Sequence, residues 1–274
     1  MSERFLHAVF GQPVAHSLSP RIHAAFAAQA GIDLDYRRIE AAPEAFADAL
    51  AAFAGAGGHG ANVTLPLKER AAALCIAITP RAQRAGSVNT LTRDPRGWVG
   101  DTTDGIGLLT DLAMRHGLQP AGLHVLMLGA GGAARAAAFA LLDAGIDRLV
   151  IANRTPARAQ QLAAALADPR ATAVAADAAP VGPFDLIVNA SAAGHHGAAP
   201  PVAHEILRSA RLAYDLSYGA AAAPFLALAK SAGAARTVDG LGMLVEQAAA
   251  SFAIWHGHAP DTAPVYAALR AQAR

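Results

Sequence analysis

One cysteine stands in the whole sequence, Cys75, so no disulfide forms within the chain. It sits in the apolar segment AAALCIAI and reads as a buried, inert thiol. Charge is sparse as well. Only 16% of residues are Asp, Glu, Lys or Arg, and 22 Lys+Arg against 21 Asp+Glu leave a formal net charge of +1. With that balance, and no basic run interleaved with aromatics, the composition argues against a nucleic-acid partner. An uninterrupted apolar run of membrane length is missing too, because the segment from Leu123 to Ile146 is broken by Gly129, Gly131, Gly132 and Arg135. FLHAVFG near the N-terminus is too short for a secretory signal and reads as a first strand. The expectation is a soluble, cytoplasmic protein with no membrane partner. No internal repeat or long low-complexity linker interrupts it, and the sequence leaves a homodimer open.

What is present is apolar material in quantity. Hydrophobic residues make up 54% of 274 positions, enough to build two compact domains. Strand-like and helix-like segments alternate. FLHAVFG precedes a helical pattern from Ser19 to Ala30, DYRRIE precedes one around Pro43 to Ala54, and GANVT precedes one starting at Pro66. SVNTLTR leads through a short turn to a helix opening near Asp104. Such alternation predicts an α/β protein with a mostly parallel sheet and helices on both faces. The second half carries purer strands, LHVLML, RLVIAN, FDLIVNA and LAYDL, whose loss of polar alternation marks strands buried on both faces. TPARAQQLAAALADPRA reads as a crossover helix with Thr155 as N-cap and Pro156 at its first position. We place a first domain at residues 1–108 and a second at 109–239. The last stretch, GLGMLVEQAAASFAIWHG, has helical spacing, and periodicity does not decide which domain it joins.

LHVLMLGAGGAARAAAFALLDAG is a strand, a glycine-rich turn and a helix. Gly129, Gly131 and Ala134 fit the pattern G-x-G-x-x-G/A of a Rossmann-like dinucleotide-binding domain. The first glycine makes the tight turn, the second lets a pyrophosphate approach the backbone, and a small third residue lets helix and strand pack closely. The free N–H groups of that helix start would face the phosphates. An NAD site ends the next strand with Asp or Glu for the ribose 2′-hydroxyl, whereas this one ends IANRTPAR, with Asn153, Arg154, Thr155 and Arg158 and no acid. Planar guanidiniums match phosphate oxygens, and cations at a helix start oppose its dipole, so an anion is expected beside them. The cofactor expected is NADP(H).

A second set of polar residues lies in the first half. HSLSP offers Ser17 and Ser19, NVTLPLK offers Asn62, Thr64 and Lys68, SVNT offers Asn89, and TDG offers Asp104. Each is read as lying in a loop after a strand, where α/β sheets bind ligands. Hydroxyls, amides, one cation and one carboxylate together suit a small polyhydroxylated acid. Hydride transfer needs a protein group for the accompanying proton, and an amine paired with a carboxylate supplies one.

These residues, in this order, resemble the shikimate dehydrogenase family over nearly the whole length. The motifs run from GQPVAHSLSP through NVTLPLKE, GSVNTL, TDGIGL, GAGGAARA and NRT to DGLGMLVEQAAASFAIWHG. The resemblance implies reversible NADPH-dependent reduction of 3-dehydroshikimate to shikimate in aromatic amino acid biosynthesis. It implies that Ser17 and Ser19 hold the carboxylate with help from Tyr218. Asn62, Thr64, Asn89 and Gln247 would contact ring hydroxyls, and Lys68 with Asp104 would form the catalytic pair. The cofactor turn would comprise Gly129, Ala130, Gly131, Gly132 and Ala133, with Leu216 and Gly240 along the nicotinamide. By the same resemblance, residues 240–274 return to the first domain and the site closes between the two domains.

Two departures from the family pattern stand out. Thr102 replaces the usual Asn of Asn-Thr-Asp-Gly, which bears on the positioning of Asp104. GAAAAPF after Tyr218 lacks the polar residues often found there, including a threonine at Ala223, and a more mobile loop is expected. Other polar residues carry less. His195 and His196 are adjacent with no third ligand in sight, so no metal is expected. His16 beside Ser17 lacks a nucleophile turn or an oxyanion motif. Phe252 and Trp255 read as core. A family member that also oxidises quinate, often with NAD, is the nearest rival. A non-catalytic NADP(H) sensor would have lost Lys68 and Asp104, and a scaffold would leave the polar loops unexplained.

Overall fold

The computed structural model describes residues 4–178 and 182–272. Among them the chain forms two compact units, one running up to Gly107 and resuming at Val245–Gln272, the other Leu108–Leu244.

The first unit contains β1 (Phe5–Gly11), α1 (Ser19–Ala30), β2 (Leu34–Glu40), α2 (Phe46–Gly55), β3 (Gly58–Val63), α3 (Lys68–Leu74), β4 (Ala77–Ile78), α4 (Pro80–Ala85), β5 (Thr90–Asp94) and β6 (Gly97–Asp101). Its sheet has the order β2-β1-β3-β5-β6-β4. β5 runs antiparallel to both neighbours, and the other pairings are parallel. The core gathers Phe10, Phe46, Phe53, Val63, Leu67 and Leu91, all buried. β1 reads apolar because five of its seven positions are buried, whereas edge strand β2 keeps Arg37 and Arg38 in solvent.

The β5–β6 hairpin replaces the expected direct passage from SVNTLTR to a helix. β6 is GWVGD, too short and glycine-rich to announce itself, and pairing with β5 and β4 makes it a strand. Gly100 is needed there, since a Cβ would meet Cys75 Sγ at 2.7 Å and Val88 Cγ2 at 2.8 Å. Two helices also open later than their prolines suggest. Ala45 N bonds the Ala42 carbonyl in a turn before α2, and Leu67 N bonds the Thr64 carbonyl in a turn before α3, with Leu65–Pro66 in cis. Cys75 is half-buried, donates to the Ala71 carbonyl, and burial pushes its thiol up to about 11.

The second unit takes in most of α5 (Asp104–His116), then β7 (His124–Leu128), α6 (Gly132–Asp143), β8 (Arg148–Asn153), α7 (Pro156–Leu166), β9 (Ala171–Ala175), β10 (Leu186–Asn189), α8 (His204–Arg208), β11 (Leu212–Asp215), α9 (Ala223–Ala232) and β12 (Thr237–Val238). All its strand pairings are parallel, in the order β12-β11-β10-β7-β8-β9. Counted from its first strand this is the 3-2-1-4-5-6 order of a doubly wound dinucleotide-binding sheet, with the switch point between β7 and β10. Strands buried on both faces explain the apolar runs Val125–Leu128 and Leu149–Ala152. On α6, alanines at 134, 136, 137 and 138 are buried and let the helix lie close. The chain ends with α10 (Leu241–His256) and α11 (Thr262–Gln272). No helix among the described residues is long and apolar enough to cross a membrane.

Candidate active site

In the second unit β7 ends at Leu128, and the chain turns through Gly129 and Ala130 to Gly131, the N-cap of α6. Gly129 has φ +113°, and a side chain there would meet Ala190 C and O at 2.8 Å and Ser191 N at 2.9 Å. Those two residues follow β10, so glycine lets the strand ends on either side of the switch point approach. Gly131 is different. Its φ is −84°, and a Cβ would meet nothing within 4 Å. The open space before it faces the start of α6, which has no side-chain cap, so the amides of Gly132 and Ala133 begin the helix without one. That is a cradle suited to a diphosphate.

Gly129 N donates to the Ala152 carbonyl at 2.8 Å, which brings the end of β8 beside the turn. Asn153 is half-buried, and its Nδ2 donates to the Thr155 carbonyl at 2.9 Å. Thr155 occupies the N-cap position of α7, but its hydroxyl makes no cap bond and is not committed to the helix. Arg154 and Arg158 are exposed, and no acid stands in the first turn of α7. Two guanidiniums at an uncompensated helix start fit a 2′-phosphate.

Asp215 closes β11, fully buried, and accepts from Asn189 Nδ2 and Ser217 N, each at 2.7 Å. Burial pushes its carboxyl up to about 6 against the opposing pull of those bonds. The turn it holds carries Leu216. Gly240 N donates to the Ser217 carbonyl at 2.7 Å, and a Cβ on Gly240 would run into the Leu216 carbonyl. Leu216 and Gly240 are therefore neighbours. Tyr218 is half-buried and leads into a short 3₁₀ turn, Gly219–Ala221, before α9.

In the first unit Lys68 opens α3 and Asp104 opens α5. Their side chains are 12% and 5% exposed, and Lys68 Nζ donates to Asp104 Oδ2 at 2.5 Å. Asp104 Oδ1 accepts from Asn89 Nδ2 at 2.8 Å. The same nitrogen faces Thr103 Oγ1 at 2.9 Å and Gln247 Oε1 at 3.1 Å. Asn89 Oδ1 accepts from Thr103 N at 2.9 Å and Thr90 Oγ1 at 2.8 Å. One hydrogen-bonded cluster thus joins an ammonium, a carboxylate and two amides, largely shielded from water.

Asn62 has its own set of partners. Its Nδ2 donates to the Asn89 carbonyl and to Ser251 Oγ, each at 3.1 Å, and its Oδ1 accepts from Tyr36 Oη at 2.7 Å and faces His23 Nε2 at 3.1 Å. Two amide protons and two lone pairs are then all engaged by the protein. Ser17 Oγ donates to Ser19 Oγ at 3.1 Å, and Arg38 clasps the Ser17 carbonyl through Nε at 3.0 Å and Nη2 at 2.7 Å. Thr64 N donates to the Phe10 carbonyl, which seats its half-buried side chain at the end of β3.

Several residues of this cluster went unnoticed in the sequence. His23, Tyr36, Thr90, Thr103 and Ser251 sit on α1, β2, β5, the β6–α5 link and α10, and no spacing ties them together. Asp101 accepts from Arg81 Nε and Nη2, Thr79 Oγ1 and Thr102 N, all at 2.6–2.7 Å, and so clamps the approach to Asp104. Thr102 therefore contributes its main chain, while its hydroxyl is buried without a partner among the described residues. Phe252 is fully buried, Trp255 is half-buried with Nε1 donating to the Leu91 carbonyl, and His195 and His196 are exposed.

Three family models match successive parts of the chain. They are described as shikimate dehydrogenase substrate binding domain, residues 9–91, shikimate / quinate 5-dehydrogenase, residues 111–216, and shikimate 5'-dehydrogenase C-terminal domain, residues 240–270. A shikimate dehydrogenase (NADP(+)) of Xanthomonas oryzae pv. oryzae (strain MAFF 311018) is 56% identical over 270 residues, covering 97% of this chain and 95% of the relative. The chain belongs to the shikimate dehydrogenase family. Shikimate dehydrogenases interconvert shikimate and 3-dehydroshikimate in aromatic biosynthesis. Solved structures agree with that membership. A shikimate 5-dehydrogenase from Thermus thermophilus, in complex with NADP(H) and shikimate, superposes with a TM-score of 0.83 at 36% identity, covering 98% of this chain and 100% of that one. An Ael1 enzyme from Pseudomonas putida gives a TM-score of 0.89 at 42% identity, covering 97% and 98%.

Proposed function

We propose that this chain is an NADP-dependent shikimate dehydrogenase that reduces 3-dehydroshikimate reversibly, with Lys68 as proton donor and Asp104 as its partner. The observation that carries the reading is the shielded Lys68–Asp104 contact of 2.5 Å, tied through Asn89 to Gln247. The paired hydroxyls of Ser17 and Ser19, with Tyr218, take the substrate carboxylate. Thr64, Asn89 and Gln247 meet ring hydroxyls, with Gln247 Oε1 giving up its place on Asn89 Nδ2 to a substrate oxygen. Asn62 supports Asn89 from behind.

Gly129, Ala130, Gly131, Gly132 and Ala133 hold the diphosphate, Asn153, Arg154, Thr155 and Arg158 the 2′-phosphate, and Leu216 with Gly240 the nicotinamide. NADPH bound there supplies a hydride to the ring carbonyl carbon. Lys68 gives a proton from Nζ to the carbonyl oxygen, so that ketone plus hydride plus proton becomes the alcohol. Asp104 Oδ2 orients Nζ before the step. In the oxidative direction the neutral amine takes that proton back. A cytoplasmic location is part of the same proposal.

The test is the initial rate of NADP⁺ reduction with shikimate, with quinate and NAD⁺ in parallel. Turnover confined to shikimate and NADP⁺ is the expected result. Comparable rates with quinate or NAD⁺ would move the chain to a broader specificity, and no turnover with any pair would remove the reading.

A further inference from the structure

The orientation of Asn62 follows from one neighbour. Its side chain lies 3.1 Å from the main-chain carbonyl of Asn89, an atom that only accepts, so the atom facing it is Nδ2. Oδ1 then faces His23 Nε2 and Tyr36 Oη, and both must donate. His23 is accordingly the neutral Nε2–H tautomer. Its Nδ1 is buried with no partner among the described residues. The ring is wholly buried, stacked on Tyr36 at 4.5 Å and 9°, with Phe26, Phe252 and Trp255 around it. Burial holds its pKa down at about 3, with the Asn62 bond opposing; His256 and His7 are the imidazoles that face it. Nothing in this packing asks for an imidazole. A phenyl ring or a leucine would fill the space without burying a bare nitrogen, which costs free energy.

We infer that His23 is a positioning residue for the Lys68–Asp104 pair. Its Nε2–H and the Tyr36 hydroxyl together fill the acceptor of Asn62, which locks Asn62 on the Asn89 main chain, and Asn89 Nδ2 in turn holds Asp104 Oδ1. The path from His23 Nε2 through Asn62, Asn89 and Asp104 to Lys68 Nζ has links of 3.1, 3.1, 2.8 and 2.5 Å. The kinetic part of this inference rests on the dehydrogenase reading above.

Two variants separate the donor from the ring. His23→Phe keeps an aromatic of similar width and removes the donor, and His23→Gln places an amide N–H at similar reach. His23→Phe is expected to lower kcat by about tenfold or more with KM for shikimate altered less, and to move the pH profile of kcat. His23→Gln is expected to recover most of the loss and the profile. A folded His23→Phe with unchanged kcat and profile would overturn the inference, as would a loss that His23→Gln leaves unrepaired. Should His23→Phe fail to fold, His23→Leu removes the same donor and is read against His23→Gln by the same two outcomes. Independently of turnover, nitrogen-15 NMR of histidine-labelled protein should show His23 as the neutral Nε2–H tautomer at pH 7 and at pH 5. An Nδ1–H tautomer, or a protonated ring at pH 5, overturns the inference even in a fully active enzyme. The correct tautomer in a protein inactive on shikimate would instead remove the dehydrogenase reading, and the kinetic role with it.

Discussion

The two halves of this chain build their sites on opposite plans. In the second unit the glycine turn after β7 is backbone. Gly129 and Gly131 matter for the side chains they lack, and the segment is nearly continuous. In the first unit the cluster around Lys68 and Asp104 is built mostly of side chains, joined by the Asn89 carbonyl and the Thr103 amide, from residues as far apart as His23 and Ser251. A backbone site fails when an atom is added, and a side-chain cluster fails when one is taken away or gains a proton.

Acid offers the largest contrast. Burial holds His7 and His23 at about 2 and 3, far below an ordinary imidazole at 6.5. Between 6.5 and those values the unfolded chain binds more protons than the folded one, so stability falls as pH falls below 6.5. Each group contributes ~1.4 kcal/mol per pH unit, and the first unit should lose about 4 kcal/mol by pH 5. Both tryptophans, Trp98 and Trp255, lie in that unit, so urea titrations followed by their fluorescence at pH 7 and pH 5 measure it directly. Asp215 works with the opposite sign. Its carboxyl, raised to about 6, binds a proton more readily in the folded state than in the unfolded one. Protection of β10 and β11 amides, corrected for intrinsic exchange, should therefore hold or rise between pH 7 and pH 5.5.

Removing one atom group from the cluster comes next. Lys68→Ala should cut kcat by at least ~100-fold, with substrate binding less affected, if its ammonium is the proton donor. Near-normal turnover would remove Lys68 from the mechanism.

Adding one atom to the turn sharpens the contrast within the second unit. Gly129→Ala places a Cβ on Ala190 with φ positive, and should lower the melting temperature by a few degrees, ~1–3 kcal/mol of strain. Gly131→Ala meets open space and should leave the melting temperature alone while weakening NADPH about tenfold, as a methyl intrudes where the diphosphate approaches. Equal effects of the two variants on cofactor binding and on melting would erase the distinction.

The smallest expected effect concerns Thr102. Its hydroxyl is buried and bonded to nothing among the described residues, so Thr102→Val should stabilise the protein by ~1 kcal/mol and leave kcat within about twofold. Denaturation midpoints and a single kinetic series decide it.

Legibility in the sequence followed the same division. The strand, glycine turn and helix at residues 124–143 could be read because their signals are local: a buried strand and small residues at fixed spacing. The α/β class was legible for a similar reason, since alternation of apolar strands and amphipathic helices is a property of short windows. Strand β6 was not, because GWVGD becomes a strand only when β5 and β4 lie beside it. Lys68 and Asp104 stood out as candidates, yet nothing near them in sequence showed that Asn62 would spend its whole amide on His23, Tyr36, Ser251 and the Asn89 carbonyl.

By itself, the sequence determined the α/β architecture, the glycine turn between β7 and α6 and the chemical types available to the site, because propensity, periodicity and glycine placement act over a few residues. Only the tertiary structure decided how the Asn62 and Asn89 amides are partnered, which aspartate is clamped by Arg81 and which meets Lys68, and which tautomer His23 adopts. A buried donor or acceptor is satisfied by whatever the folded interior brings within about 3 Å, and residues 23, 62, 89 and 247 become neighbours only there.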